Sequence, residues 1–189
     1  MGEPTTPHRT LAELERGLDH VRQAPRELGT VELVVARPAP GQRLVLTSAT
    51  LDVADGLVGD DWAARGSRLT PDGTAHPDMQ LNLVNTRVAH LVAGDEVDRR
   101  ALFGDQLHLD LDLSEDNVPP GTRLLVGTAT LEVTAQPHRG CVKFRDRFGR
   151  DALRLVNTEL GMALHLRGVN ARVVVGGVVL PGDEVHVVR

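Results

Sequence analysis

The sequence predicts a β-rich α+β domain whose strands close into a barrel, with a few helices outside it. Three observations carry this. Runs such as "TVELVV" (30–35), "RLVLTSATLDV" (43–53) and "RLLVGTATLEV" (123–133) are rich in β-branched residues and separated by turn formers. "LHLDLDL" (107–113) alternates strictly, with Leu107, Leu109, Leu111 and Leu113 on one face. Helical and strand patterns come in blocks (helix, strands, helix, strands, helix, strands) instead of alternating as βαβ units. Many short strands with Gly/Pro turns need their edges dealt with, and closure does that.

In chain order, residues 1–9 are Pro/Thr-rich and expected to be flexible, and 10–189 to form a single domain. "TLAELERGLDHVRQAP" (10–25) reads as an appended amphipathic helix. Thr10 and Glu13 fit a capping box, Leu11, Leu14, Leu18 and Val21 form one stripe, and Pro25 ends it. The strands at 30–35 and 43–53 are parted by "ARPAPG". "LNLVNTRVAHLVAG" (81–94) reads as a helix, with Leu81, Val84, Val88, Leu91 and Val92 on one side and Gly94 as cap. In 107–113, His108, Asp110 and Asp112 are expected on a solvated outer face. Gly127 reads as a bulge within the 123–133 strand. A helix over 150–161 is bounded by Asp151 and Gly161. The closing "ARVVVGGVVLPGDEVHVV" gives three short strands, with a hairpin at Gly176-Gly177 and a turn at "PGD".

Composition limits the function classes. The net charge of −5 and an aromatic content of 2%, with no tyrosine, argue against nucleic-acid partners. One cysteine permits no internal disulfide. No run of 18 apolar residues occurs, so the expectation is a cytoplasmic protein with no membrane partner. Phosphate-loop, dinucleotide, nucleophile-elbow and paired-histidine zinc motifs are absent. His20, His90 and His186 are read as surface or edge residues.

The one concentrated chemical signal is "PHRGCVKFRDRFGR" (137–150). This acidic chain keeps its single thiol, Cys141, among Arg139, Lys143, Arg145, Arg147, Arg150 and His138, against the lone acid Asp146. Cations beside a thiol favour its thiolate, and a helix starting after Cys141 would add to that. Gly140 is expected to leave the backbone beside the thiol open to a ligand. A thiolate among guanidinium groups suits sulfur transfer, or ligation of a soft metal whose scaffold brings an anionic phosphate. Gln80, Asn82, Asn85 and Arg87, in "DMQLNLVNTR" (78–87), are donors suited to a polar heterocycle; the alternative is helix caps and surface amides. "GLVGDDWAARGS" (56–67) is a Gly-rich loop of the kind that lines sites.

The ordered series "FGDQL" (103–107), "DNVPPGTRLLVGTATLEVT", "QPHRGCVKF" and "RGVNARVVVGGVVLPGDEV" (167–185) resembles the MOSC family, the C-terminal domain of molybdenum cofactor sulfurases. The resemblance implies a β-barrel-centred fold and a site around Cys141, as ligand of molybdenum in a pterin cofactor (molybdopterin) or as a sulfur carrier. His138, Arg139 and Lys143 would flank that site, and Asn170 and Arg172 of the closing motif would belong to it. Pyridoxal phosphate is not expected to bind this domain. Some members reduce N-hydroxylated small molecules, which here implies a small-molecule substrate and a separate electron-donor or sulfur-donor protein. Many members carry His-Gly-Gly after the early Gly-Asp; here "DDWAARGSRL" follows Gly59, and amides and Arg87 fill the next stretch. Three readings follow: a molybdenum-pterin oxidoreductase, a persulfide sulfur carrier, and a non-catalytic ligand-binding module.

Overall fold

The computed structural model describes residues 7–189. The chain runs α1 (Leu11–Arg16), α2 (Leu18–Arg22), β1 (Leu28–Ala36), β2 (Leu44–Leu46), β3 (Ala49–Asp52), β4 (Gly56–Leu57), α3 (Trp62–Arg65), β5 (Leu81–Asn85), α4 (Thr86–Ala93) and α5 (Val97–Ala101). It continues through β6 (Leu107–Asp110), β7 (Arg123–Val126), β8 (Ala129–Val133), α6 (Val142–Phe148), α7 (Arg150–Val156), α8 (Glu159–Ala163), β9 (Val169–Val175), β10 (Gly177–Val179) and β11 (Glu184–Val188).

Seven strands close on themselves in the order β1-β11-β7-β8-β9-β5-β6 and back to β1. The pairs of this ring are antiparallel except β5 with β6. β2 pairs only with β1, and β10-β3-β4 form a small second sheet. Fold class and closure are those expected from the sequence.

Two apolar clusters hold the molecule. One fills the barrel, with Leu81, Leu83, Leu107, Leu109, Leu124, Leu131 and Val185 among its buried members. The other lies between barrel wall and helices and contains Leu14, Leu18, Val84, Val88, Phe103, Phe144, Phe148 and Val156. Phe103, Phe144 and Phe148 meet there at centroid separations of 4.8–5.3 Å, so three of the four aromatic side chains form one knot.

The second cluster explains where pattern reading fails. β5 is buried along its whole length because Leu81 and Leu83 face the barrel while Val84 faces the helices. A strand covered on both faces loses its alternation, so residues 81–85 are strand where the apolar spacing predicts helix; α4 begins only at Thr86. His108 corrects the solvated-face expectation for the same reason. Its leucine neighbours point into the barrel, but its own side lies under the helices and is fully buried, edge-on to Phe103 at 6.1 Å.

Other departures are local. The N-terminal helix is two pieces joined at Gly17, where a Cβ would lie 2.3 Å from Leu91; its capping box forms as expected. Within residues 1–9, the segment 1–6 lies outside the described residues. The 43–53 run breaks into β2 and β3, which join different sheets. Gly127 is not a bulge: with φ +54° it opens the two-residue turn between Val126 and Ala129, which face each other across the β7–β8 hairpin. Gly176-Gly177 makes no hairpin either, because β10 leaves β9 and pairs with β3. Gly161 lies inside α8, where a Cβ would meet Leu155 O at 2.1 Å, so it ends no helix.

Candidate functional site

The site is organised by five consecutive residues between α5 and β6. Leu102 O accepts from Arg147 Nη1 at 2.6 Å, Phe103 O from Arg167 Nη2 at 2.9 Å, and Gly104 O from Arg37 Nη1 at 3.1 Å. Asp105 accepts from His138 Nε2 at 3.0 Å and Arg167 Nη1 at 2.5 Å. Gln106 Oε1 accepts from the backbone N–H of Asn82 at 2.8 Å. Gly104 permits this convergence: its φ is +83°, and Arg43 Nη2 lies 3.0 Å from where a Cβ would stand.

Asp105 is fully buried. Burial alone would raise its carboxyl, but Arg167 and then His138 hold it well below the usual carboxylate range. His138 is driven the other way: burial and then Arg167 push its imidazole down, against the pull of Asp105. Arg167 takes up the carboxylate's charge, so His138 stays neutral instead of becoming an imidazolium. Arg167 is itself clamped, its guanidinium 5.7 Å from the Phe103 ring and 5.1 Å from the Phe144 ring.

A second buried chain runs beside the first. Arg37, at the end of β1, grips Asp60 through Nε and Nη2, both at 2.9 Å. Its Nη1 also donates to Asn82 Oδ1 at 2.8 Å; Asn82 donates to Asn170 Oδ1 at 2.6 Å, and Asn170 to Gln136 O at 3.0 Å. Arg43 and Arg65 lie nearby. Burial first, then Arg147 and Arg37, lowers Arg43; burial, then Arg37, lowers Arg65. Among the described residues, four guanidinium groups thus face only Asp60 and Asp61, and Arg43 Nε is enclosed with no partner. This neighbourhood carries surplus positive charge.

Cys141 stands in extended conformation immediately before α6, with its thiol exposed. Arg139 and Lys143 flank it, exposed and in no ion pair among the described residues. Gly140 serves the fold and not ligand approach: a Cβ there would meet Val156 at 2.7 Å and Leu153 at 2.8 Å. Asn157 brackets its backbone at 3.0 and 3.1 Å, fixing the loop two residues after His138.

A family model described as "MOSC domain" matches residues 75–186, which hold Asp105, His138, Cys141 and Arg167. The chain belongs to the MOSC family. No curated protein matches it. Among solved structures, the YUAD protein from Bacillus subtilis is similar at TM-score 0.64 and 16% identity, over 85% of this chain and 95% of that one. YiiM from Escherichia coli is similar at TM-score 0.54 and 20% identity, over 85% and 70%. YiiM from Geobacillus stearothermophilus gives 0.51 and 17%, over 87% and 74%. At these identities the likeness is one of fold.

Within this MOSC fold the candidates from the sequence separate. His138, Asn82 and Asn170 belong to the buried polar chains just described. Gln80 ties strands together instead, donating to Val53 O at 2.9 Å and accepting from Val173 N at 2.8 Å. Asn85 caps α4, accepting from Arg87 N at 2.9 Å. Arg87 turns to Asp110 at 2.7 Å and His20 O at 3.1 Å, lining a different cavity with Glu32, His90 and Asp95. Arg172 pairs with Glu132 at 2.6 Å and Asp78 at 3.3 Å on the surface. Arg37, Asp60, Asp105, Gln106 and Arg167 carry no role legible from their own sequence positions. The available signal was "FGDQL", a polar pair between an aromatic-glycine turn and a strand.

Proposed function

We propose that this MOSC protein binds a molybdenum-pterin cofactor, with the Cys141 thiolate as the metal ligand, and acts as an oxidoreductase on a small molecule. The observation that carries the reading is the pairing of one exposed thiol with a guanidinium cluster of surplus charge and an orphaned Arg43 Nε. That donor set fits the group: a soft sulfur for the metal and forked N–H donors for an anionic phosphate. Arg147, on the helix that starts at Cys141, lies roughly 9 Å further along the axis at 1.5 Å per residue. Arg43 and Arg65 would neutralise the phosphate, while Arg139 and Lys143 hold negative charge near the thiol. When bound, the metal would supply two-electron redox chemistry. The protein's own part is to orient the group, to keep the loop before Cys141 fixed through Asn157, and to offer His138 as a neutral proton acceptor. Electrons would come from a separate donor protein, in a cytoplasmic setting consistent with an unpaired cysteine.

Purified or cofactor-reconstituted protein is expected to carry molybdenum near one per chain by metal analysis, and Cys141→Ala to lose it. Absence of metal in both preparations overturns the reading.

The exposure of Cys141 supports a second reading, a sulfur carrier. The thiolate would attack the outer sulfur of a donor protein's persulfide, forming the new S–S bond as the donor thiolate leaves. Incubation with an active cysteine desulfurase would then add the mass of one sulfur to wild type and none to Cys141→Ala.

A further inference from the structure

Between α3 and β5 the chain makes a loop that stands apart from the rest of the fold. Residues 66–75 hydrogen-bond only to one another among the described residues. Ser67 N donates to Gly73 O at 3.3 Å and Gly73 N to Thr70 O at 3.2 Å. Thr70 Oγ1 donates to Ser67 O at 3.0 Å, and Thr74 N and Oγ1 donate to Asp72 Oδ1 at 3.1 and 2.7 Å. None of these residues is buried or belongs to an apolar cluster, and Leu69 is 65% exposed.

The loop is pinched shut at its base. Gly66 has φ +66° and ψ −172°, a region open in practice to glycine alone, and a Cβ there would lie 2.3 Å from Gly73 O. A compact surface loop with touching ends, its own internal bonds and no buried apolar anchor opens and moves as one body.

Its two connections stand on the two ends of one buried chain. Before the loop, Asp60 is gripped by Arg37, and Asp61 N donates to Arg37 O at 2.8 Å. After it, His76 Nε2 lies 3.2 Å from Gln136 Nε2, and Asp78 O accepts from Thr134 Oγ1 at 2.6 Å. Arg37, Asn82, Asn170 and Gln136 O join one foot to the other through hydrogen bonds. The feet are fixed while the span between them is loose, which is the construction of a hinged flap. The first foot carries Arg65 of the guanidinium cluster. Arg68, three residues on, is within about 11 Å of it along the chain; it is exposed and in no ion pair among the described residues.

We infer that residues 66–75 are a flap that closes over the guanidinium cluster when a phosphate-type anion is bound there, bringing Arg68 beside Arg43 and Arg65 as a further anion contact. The inference rests on the reading of that cluster as an anion site and is independent of what Cys141 does. Closure covers the anion and excludes water, which strengthens each charged hydrogen bond to it.

The test uses the full chain in molybdenum-free form and inorganic pyrophosphate as the probe. Amide hydrogen exchange is read by mass spectrometry and affinity by calorimetry. In the free protein 66–75 should exchange ahead of both feet. With pyrophosphate at about ten times its dissociation constant, exchange in 66–75 should slow about tenfold. Arg68→Gln, an exposed change, should bind about tenfold more weakly, the loss of one hydrogen bond to a charged group. At equal occupancy it should also lose the protection of 66–75, and Arg68→Lys should recover part of both. Binding that protects 60–65 but leaves 66–75 unchanged, or an Arg68→Gln that behaves like wild type, would overturn the flap alone. Absence of pyrophosphate binding would overturn the anion reading beneath it as well.

Discussion

Two clusters in this molecule are built from the same three groups. Asp105, Arg167 and His138 form one; Glu32, Arg100 and His90 form the other. In the first the carboxylate is wholly buried, whereas the side chain of Glu32 is 35% exposed. In the second every imidazole nitrogen is used: His90 Nε2 meets Glu32 at 2.8 Å and Nδ1 meets Asp95 at 2.8 Å. Burial would raise Glu32, but bonds from Thr86, His90 and Arg100 bring its carboxyl down to about 2. The difference teaches what composition alone cannot. An open cluster with two carboxylates satisfies its histidine, while a closed cluster with one carboxylate shared by an arginine leaves one histidine nitrogen without a partner among the described residues.

The sharpest way to break the comparison is to remove each carboxylate. Asp105→Ala strands the buried Arg167 and is expected to cost about 3–5 kcal/mol in urea unfolding. Equal losses for Asp105→Ala and Glu32→Ala would show that burial does not separate the clusters.

Between them in effect is His108, whose environment includes charges from both. Both its ring nitrogens are buried without partners among the described residues, and burial, the largest cause, brings its imidazole down to about 4 from 6.5. The unfolded chain takes a proton below about pH 6.5 while the folded chain resists until about pH 4. Stability is therefore full above that window and falls on acidification through it, by up to about 3 kcal/mol from this residue. His108→Leu should flatten this acid limb in part, since His138 contributes in the same direction, and should raise stability at pH 7 by about 1–3 kcal/mol. A steeper acid limb in the variant would contradict the burial account.

The smallest effect belongs to the open cluster. Glu32→Gln should cost about 1 kcal/mol or less, and added salt should shrink the loss further. A loss insensitive to salt would mean that Glu32 behaves as a buried charge.

The comparison also marks the limits of pattern. Strand content, the capping box at Thr10 and Glu13, and the turn at "PGD" are short-range facts, and they form as read. The run 81–85 does not, because a strand covered on both faces and a helix stripe look alike over five residues. Alternation puts His108 in solvent because it tells inside from outside a sheet but not whether helices cover the outside. At the site, Cys141 stood out by its basic neighbours, while Asp105 sat in plain view in "FGDQL" without a partner to give it meaning.

By itself the sequence determined the strand-rich content and a cysteine after a turn, since both follow from neighbours a few residues apart; the MOSC kind was carried by the resemblance of the ordered motifs over 103–185. Only the tertiary structure decided which polar residues meet. Arg37 with Asp60, Asn82 with Asn170, and Asp105 with His138 and Arg167 are pairs 23 to 88 residues apart. Burial gives those contacts their chemistry: removal from water makes Asp105 demand Arg167, and their pairing leaves His138 neutral with one nitrogen free.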